Sequence, residues 1–269
     1  MPLVPIASLS DPRLDPYRSL KQTNLTRDSG RFIAEGKLVV ERLLASRFQV
    51  DSVLLSERRL PLWESLLRVG DSPVYVVSEE TARQLLGFHF HAGVLACGRR
   101  GPRFTVHDLL AALDTEPHLL VACPHMTDPD NLGSLIRVAR ALGVGGLLLG
   151  RGCCDPFSRR TLRVSMGNAL ELPIVESRDL ADDLRCLQRE HGFTLTATVV
   201  DPGAQPLHQT QGVPRDVLLL GNEAHGLGPE WRSFCDRQVT IPMSAGVDSL
   251  NVALAAGICL HWLRWGGGS

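Results

Sequence analysis

Three short segments in the second half of this 269-residue chain set polar side chains beside small residues. In DPDNLGSLIRVARALGV (128–144), Asn131 and Arg137 stand among apolar residues. A guanidinium stays charged near neutrality, so Arg137 can hold a phosphate or stabilise a developing anion but is a poor proton acceptor. In DVLLLGNEAHGL (216–227), an apolar run enters Gly221-Asn222-Glu223 directly. A glycine there lets a ligand approach the backbone with no Cβ in the way. The Glu223 carboxylate can hold an arginine or a helix N-terminus, whereas His225, a histidine in a turn, is more often incidental than a general base. In VTIPMSAGVDSLNVALAAG (239–257), Ser249, Leu250 and Asn251 end a loop of small residues. Read singly, each segment also has a plain structural account: a helix cap with a surface arginine, or an ordinary strand-to-helix turn.

The elements that must position these residues follow from periodicity. Leu132, Leu135, Ile136 and Ala139 recur at i, i+3, i+4 and i+7, which predicts a helix with one buried stripe. Asp130 or Asn131 can cap its start, and Gly143 suits a left-handed C-terminal position. Ser134, Arg137 and Arg140 fall off the stripe. Strands are expected at 118–124, 145–150, 194–200, 216–221 and 238–242, with helices near 158–169, 179–192 and 249–265. The last helix, capped by Asp248 or Ser249, is apolar nearly all round and needs cover on most sides. Apolar strands without clean alternation indicate a parallel sheet covered on both faces. Crevices at the carboxyl ends of such sheets bind small molecules.

The front of the chain reads as a smaller α/β unit. Residues 11–48 suggest two helical stretches, the second being RFIAEGKLVVERLLAS. Strands at 52–56, 74–78 and 92–98 alternate with helices around PLWESLLRV and EETARQLLG. The polar, Gly-Pro-broken stretch 99–105 reads as a linker, giving domains 1–98 and 106–269.

Composition sets limits. At 44% hydrophobic and 21% charged, the chain is globular in type. It has no apolar run of about 18 residues, so no membrane partner is expected. The start, MPLVPIASLSDPR, lacks a charged region ahead of its apolar stretch and argues against a secretory signal. Seven cysteines with no C-x-x-C pair point to a reducing compartment. The vicinal Cys153-Cys154 is the one redox candidate. His89 and His91 lack a third ligand at metal spacing, so no metal is expected. Net charge is −1, but residues 1–105 carry 15 Lys and Arg against 11 Asp and Glu (+4), and the remainder 13 against 18 (−5). The front segment, with Arg18, Lys21, Arg27 and Arg31, is therefore the expected phosphate-binding surface.

Taken in order and at this spacing, the three segments resemble the three motifs of the SpoU (TrmH-like) RNA ribose methyltransferases of the SPOUT superfamily. The resemblance rests on Asn131, Gly133 and Arg137, then Gly221, Asn222, Glu223 and Gly226, then Ser249, Leu250 and Asn251. It is strong over 119–265 and weaker over 13–98. It implies a parallel-sheet methyltransferase domain with a deep trefoil knot, preceded by a small α/β substrate-binding domain related in fold to RNA-binding ribosomal proteins. It also implies a cytoplasmic homodimer that uses S-adenosylmethionine to methylate a ribose 2′-hydroxyl. Cofactor contacts are expected at Thr198, Leu220, Gly221, Asn222, Ile241, Met243 and Leu250. The catalytic set carried over is Arg137, Asn131, Glu223, Ser249 and Asn251. A backbone-made site agrees with the lack of a G-x-G-x-x-G fingerprint. A separate front domain suits a structured target, so ribosomal RNA is the expected substrate. Transfer RNA, or a non-catalytic RNA-binding role on the same fold, is the alternative.

Overall fold

The computed structural model describes residues 1–18, 20, 29–63, 71–87, 90, 92–113, 118–222 and 225–266. Its strands are β1 (Leu3–Pro5), β2 (Arg31–Glu35), β3 (Val50–Ser56), β4 (Val74–Val77), β5 (Val94–Arg99), β6 (His118–Cys123), β7 (Gly146–Leu149), β8 (Ile174–Glu176), β9 (Thr194–Thr198), β10 (Gln205–Pro206), β11 (Arg215–Leu219) and β12 (Arg237–Thr240). Its α-helices are α1 (Lys37–Ala45), α2 (Leu60–Trp63), α3 (Glu79–Leu86), α4 (Val106–Ala111), α5 (Pro129–Ala141), α6 (Arg159–Val164), α7 (Leu180–His191), α8 (Pro229–Phe234) and α9 (Val252–Trp265). None is long and apolar enough to cross a membrane.

The chain divides into two compact units. The first comprises Met1–Pro102 together with Phe157–Glu171, the second Arg103–Pro156 with Leu172–Ser269. The excursion Phe157–Glu171 lies inside the expected 106–269 domain yet packs with the front unit. Phe157 completes an aromatic trio there, 5.5 Å from Phe32 and 5.3 Å from Phe48 between ring centroids. Arg159, on α6, pairs with Glu35 at 3.2 Å.

The first unit is a five-stranded mixed sheet in the order β1-β4-β3-β5-β2, with β2 and β3 antiparallel to β5 and the other pairs parallel. The stretch RFIAEGKLVVERLL is not one helix. Its first five residues form β2, and Gly36, at φ +90°, turns the chain into α1. Phe32, Ile33 and Ala34 are all buried, so this strand shows no alternation, and its apolar run merges with that of the helix. Glu35-Gly36 is thus a strand-to-helix junction. The expected earlier helix is a 3-10 turn over Pro12–Tyr17. Only Leu60–Trp63 of the PLWESLLRV helix lies within the described residues, and His89 and His91 lie outside them.

The second unit is a seven-stranded sheet ordered β10-β12-β9-β11-β6-β7-β8, in which every pairing is parallel. All five expected strands are present, joined by the short β8 and β10 at or near the edges. The core clusters around Leu120, Leu148, Leu184, Leu195, Val217 and Leu219. Helix α5 begins later in the expected sense than it does in fact: Asp128, not Asp130 or Asn131, is its cap and accepts from Asp130 N at 2.8 Å. Pro129 at the first helical position, with its preset φ, fixes that start. Gly143 takes the left-handed conformation at the other end, as expected, at φ +68°. Helix α9 also shifts by two or three residues. Its cap is Asn251, whose Oδ1 accepts from Ala253 N at 3.0 Å, so Asp248 and Ser249 remain in an exposed loop.

Candidate active site

A crevice of about 570 Å³ opens at the carboxyl ends of β9, β11 and β12. Strand ends supply Thr198, Gly221 and Ile241 to its wall. The turn after β11 supplies Asn222, His225 and Leu227. The loop after β12 brings Met243, Asp248, Ser249, Leu250 and Asn251, and α5 contributes Asn131. Parallel order places these ends side by side, because every strand of the group points the same way. Residues from all three sequence segments therefore meet at one opening.

Two contacts hold the wall. Asn251 Nδ2 donates to Asn131 Oδ1 at 2.8 Å, joining the first segment to the third. Asn222 N donates to Gly226 O at 2.9 Å and Gly226 N to Asn222 O at 2.8 Å, closing the turn on itself. Gly226 is left-handed at φ +64°, which favours glycine. Gly221 is required for a different reason: a Cβ there would overlap the backbone of Gly226 and Leu227. Its missing side chain lets the turn fold back over the strand end.

Not every expected residue lines the opening. Leu220 is buried behind it, its N donating to Ala122 O at 2.9 Å. Arg137 is exposed on α5 and lies outside the lining. Six residues separate it from Asn131, which is about 9 Å along the axis and about 120° around it. Glu223 lies outside the described residues, as do Lys21 and Arg27. In the first unit, Arg31 pairs with Asp51 at 2.9 Å. Arg18 pairs with Asp15 at 2.8 Å and donates to the carbonyls of Leu9 and Asp11. The two described members of the expected phosphate-binding set, Arg18 and Arg31, are thus engaged within the chain.

Several lining residues were absent from the expected set, and one of them is a cation. Arg232, on α8, is half-buried, and its Nε donates to Leu227 O at 2.8 Å. Its position, inside the short helix that follows the Gly221–Gly226 turn, gives no sequence signal that would separate it from a surface arginine. The vicinal cysteines lie elsewhere, after β7. Burial pushes the Cys154 thiol up to about 12, and Cys153 Sγ donates to Cys123 O at 3.1 Å. All seven cysteines are thiols.

A parallel α/β sheet with a crevice at its strand ends, walled by backbone turns rather than a phosphate loop, defines the class. The sequence profile of the SpoU rRNA Methylase family matches residues 118–261, and the chain belongs to that family. It is 39% identical over 259 residues to an uncharacterized tRNA/rRNA methyltransferase of Mycobacterium bovis, spanning 93% of this chain and 88% of that protein. It is 32% identical over 189 residues to the 23S rRNA (guanosine-2′-O-)-methyltransferase RlmB of Acinetobacter baylyi, spanning 70% and 76%. Among solved structures, the AdoMet-bound rRNA methyltransferase of Sinorhizobium meliloti superposes with a TM-score of 0.82, at 28% identity over 97% of each chain. AviRb of Streptomyces viridochromogenes, in complex with AdoMet, superposes at 0.80, with 26% identity over 94% of this chain and 98% of that one.

Proposed function

We propose that this protein is an S-adenosylmethionine-dependent methyltransferase that modifies a ribose 2′-hydroxyl in RNA, with ribosomal RNA as the substrate. The observation that carries the proposal is the meeting of all three family segments at one crevice. The relatives named for 2′-O-methylation of 23S rRNA and the AdoMet-bound structures support the same reading. The crevice fits the cofactor. Its volume lies within the range of roughly 300–1,000 Å³ typical of small-molecule sites. Ile241, Met243 and Leu250 offer apolar walls for an adenine, and the ends of β9 and β11 offer backbone groups for hydrogen bonding. Thr198, Gly221 and Asn222 complete the assigned cofactor contacts, with Leu220 packed behind.

When bound, S-adenosylmethionine supplies an activated methyl group, so the protein's main task is alignment. Asn131 and Asn251, bonded to each other at the crevice mouth, fix the edge against which a ribose would rest. Ser249 borders the same mouth. Arg137, exposed outside the crevice, acts on the RNA side: it stabilises negative charge developing on the 2′-oxygen and holds the ribose or its phosphate. Glu223 retains its assigned role of orienting these groups. The chemistry so drawn calls for no metal.

The proposal includes the family's trefoil knot and a cytoplasmic homodimer. Helix α9 buries Ala253, Ala256, Cys259, Leu260 and Leu263 but leaves Leu254 64%, Ile258 45% and Trp265 53% exposed. A second copy would cover that stripe, and sedimentation at micromolar concentration should give about twice the 29.4 kDa chain mass. The net +4 of residues 1–105 supports RNA binding by the front unit. Ribose-methylation mapping of ribosomal and transfer RNA, from cells with and without the gene, tests the assignment. One ribosomal phosphodiester should resist alkaline cleavage only when the gene is present, because a methylated 2′-oxygen cannot attack the neighbouring phosphate. A methyl group on a base, or on transfer RNA alone, would overturn the respective part.

A further inference from the structure

The crevice contains a cation whose chemistry the reaction does not use. Arg232 is the sole guanidinium or ammonium among the described lining residues. It is half-buried, so its charge is less screened than that of a surface arginine. Its Nε is spent on Leu227 O, at 2.8 Å, which holds the side chain against the turn that follows β11. A guanidinium so held still carries two terminal nitrogens, arranged as a fork that matches a carboxylate. The proposed cofactor has one carboxylate, at the end of its methionine portion. Among the described lining residues one carboxylate side chain, Asp248, in the loop after β12, has the sign needed by the cofactor's ammonium.

Building on the cofactor reading above, we propose that Arg232 is a specificity-determining residue that receives the carboxylate of the cofactor's amino-acid tail. Backbone contacts at the strand ends recognise the adenosine portion, which many nucleosides share. Arg232 distinguishes the amino-acid-bearing cofactor from nucleosides that lack the carboxylate. Its bond to Leu227 O serves this by pre-orienting the fork before the ligand arrives, which lowers the ordering cost of binding.

The test compares two ligands on three proteins by calorimetry: S-adenosylmethionine and its decarboxylated analogue, on the full-length wild type, Arg232→Gln and Arg232→Lys. Wild type should prefer the carboxylate-bearing ligand by about 10–100-fold, the range expected for a charge-assisted hydrogen-bonded pair. Arg232→Gln should lose that preference by weakening S-adenosylmethionine while leaving the analogue's affinity unchanged. Arg232→Lys, which keeps the charge and loses the fork, should retain part of it. Equal weakening of both ligands in Arg232→Gln would show that the residue only props the Leu227 carbonyl, and would overturn the proposal. Because the readout is a ratio between ligands on one protein, a general loss of stability does not imitate it. A wild type that binds neither ligand would overturn the cofactor reading itself, which is a separate outcome.

Discussion

Strands β9, β11 and β12 end in opposite ways. At their amino-terminal side the polar groups satisfy one another. Asp216, 2% exposed, accepts from Thr196 Oγ1 at 2.7 Å and from Arg237 Nη2 at 2.5 Å, and Arg237 Nε donates to Thr196 Oγ1 at 2.7 Å. Nearby, Asp236 accepts from Leu195 N at 2.7 Å and from Gln188 at 2.8 Å. At the carboxyl side the same three strands deliver Thr198, Gly221 and Ile241 to an open crevice edged by turns and an exposed loop. One end of the sheet is closed by side chains and the other is left to be completed by a ligand. The lesson is that rigidity at the closed end positions the open one, since a parallel strand carries any displacement along its length.

Substitutions at each end can break that contrast. The largest effect is expected from Asp216→Ala, which removes the buried carboxylate facing Arg237, a side chain that is 19% exposed and keeps its bonds to Thr196 and Gln211. Breaking one side of a buried pair costs about 3–5 kcal/mol of stability, here toward the lower figure, readable as a lower urea midpoint. Cofactor affinity of the protein that stays folded should fall as well, because the closed end positions the open one. A variant as stable as wild type would show that the network is ornamental.

Arg137→Ala should act in the reverse sense. Methyl transfer should fall by about 10²–10³, equivalent to about 2.7–4 kcal/mol for a lost charge-stabilising donor, with unfolding unaffected. Calorimetric binding of S-adenosylmethionine should stay near normal, because the side chain is outside the crevice. Full activity in this variant would remove Arg137 from the mechanism.

A smaller effect separates cap from site. Asn251→Ala removes both the α9 cap and the bond to Asn131, and should cost about 1 kcal/mol of stability as well as turnover. Asn251→Ser keeps a capping oxygen but is too short to reach Asn131. It should recover the stability and not the turnover; recovery of both would mean that the bond across the mouth does nothing.

The smallest effect concerns thiols. Cys259 borders the crevice and Cys235 lies beside Asp236, yet burial pushes both thiols up to about 12. At pH 8 only about one molecule in ten thousand would carry either thiolate, so alkylation should wait for unfolding. Rapid labelling of native Cys259 would indicate a crevice more open than the one described.

Much of the second unit was legible because its strands are short apolar runs punctuated by glycine, a pattern that survives without alternation. The crevice was legible for the same reason, since the punctuating residues Gly221, Asn222, Ser249 and Asn251 line it. What escaped was decided by three-dimensional neighbours. Residues 31–35 read as helix because their burial on both faces hides the period of two. The caps of α5 and α9 lie two or three residues from their expected places, since several capping residues stand in a row and proline or backbone geometry chooses among them. Gly221 was expected to leave room for a ligand, whereas its Cβ position is taken by the chain's own turn. Gly221→Val would therefore act by displacing Gly226 and Leu227. Arg232 escaped because nothing in spacing distinguishes a crevice arginine from a surface one.

The excursion Phe157–Glu171 also has a consequence for how the protein is made. The front unit cannot be finished when residue 102 has left the ribosome, because a piece of it has yet to be translated. Phe32 and Phe48 must wait for Phe157, and Glu35 for Arg159. At roughly 5–20 residues per second that interval lasts seconds, long enough for an uncovered apolar surface to meet other chains. The nascent protein thus passes through a stage in which neither unit is complete, and its yield in a cell should respond to chaperone supply more than the stability of the finished fold would suggest.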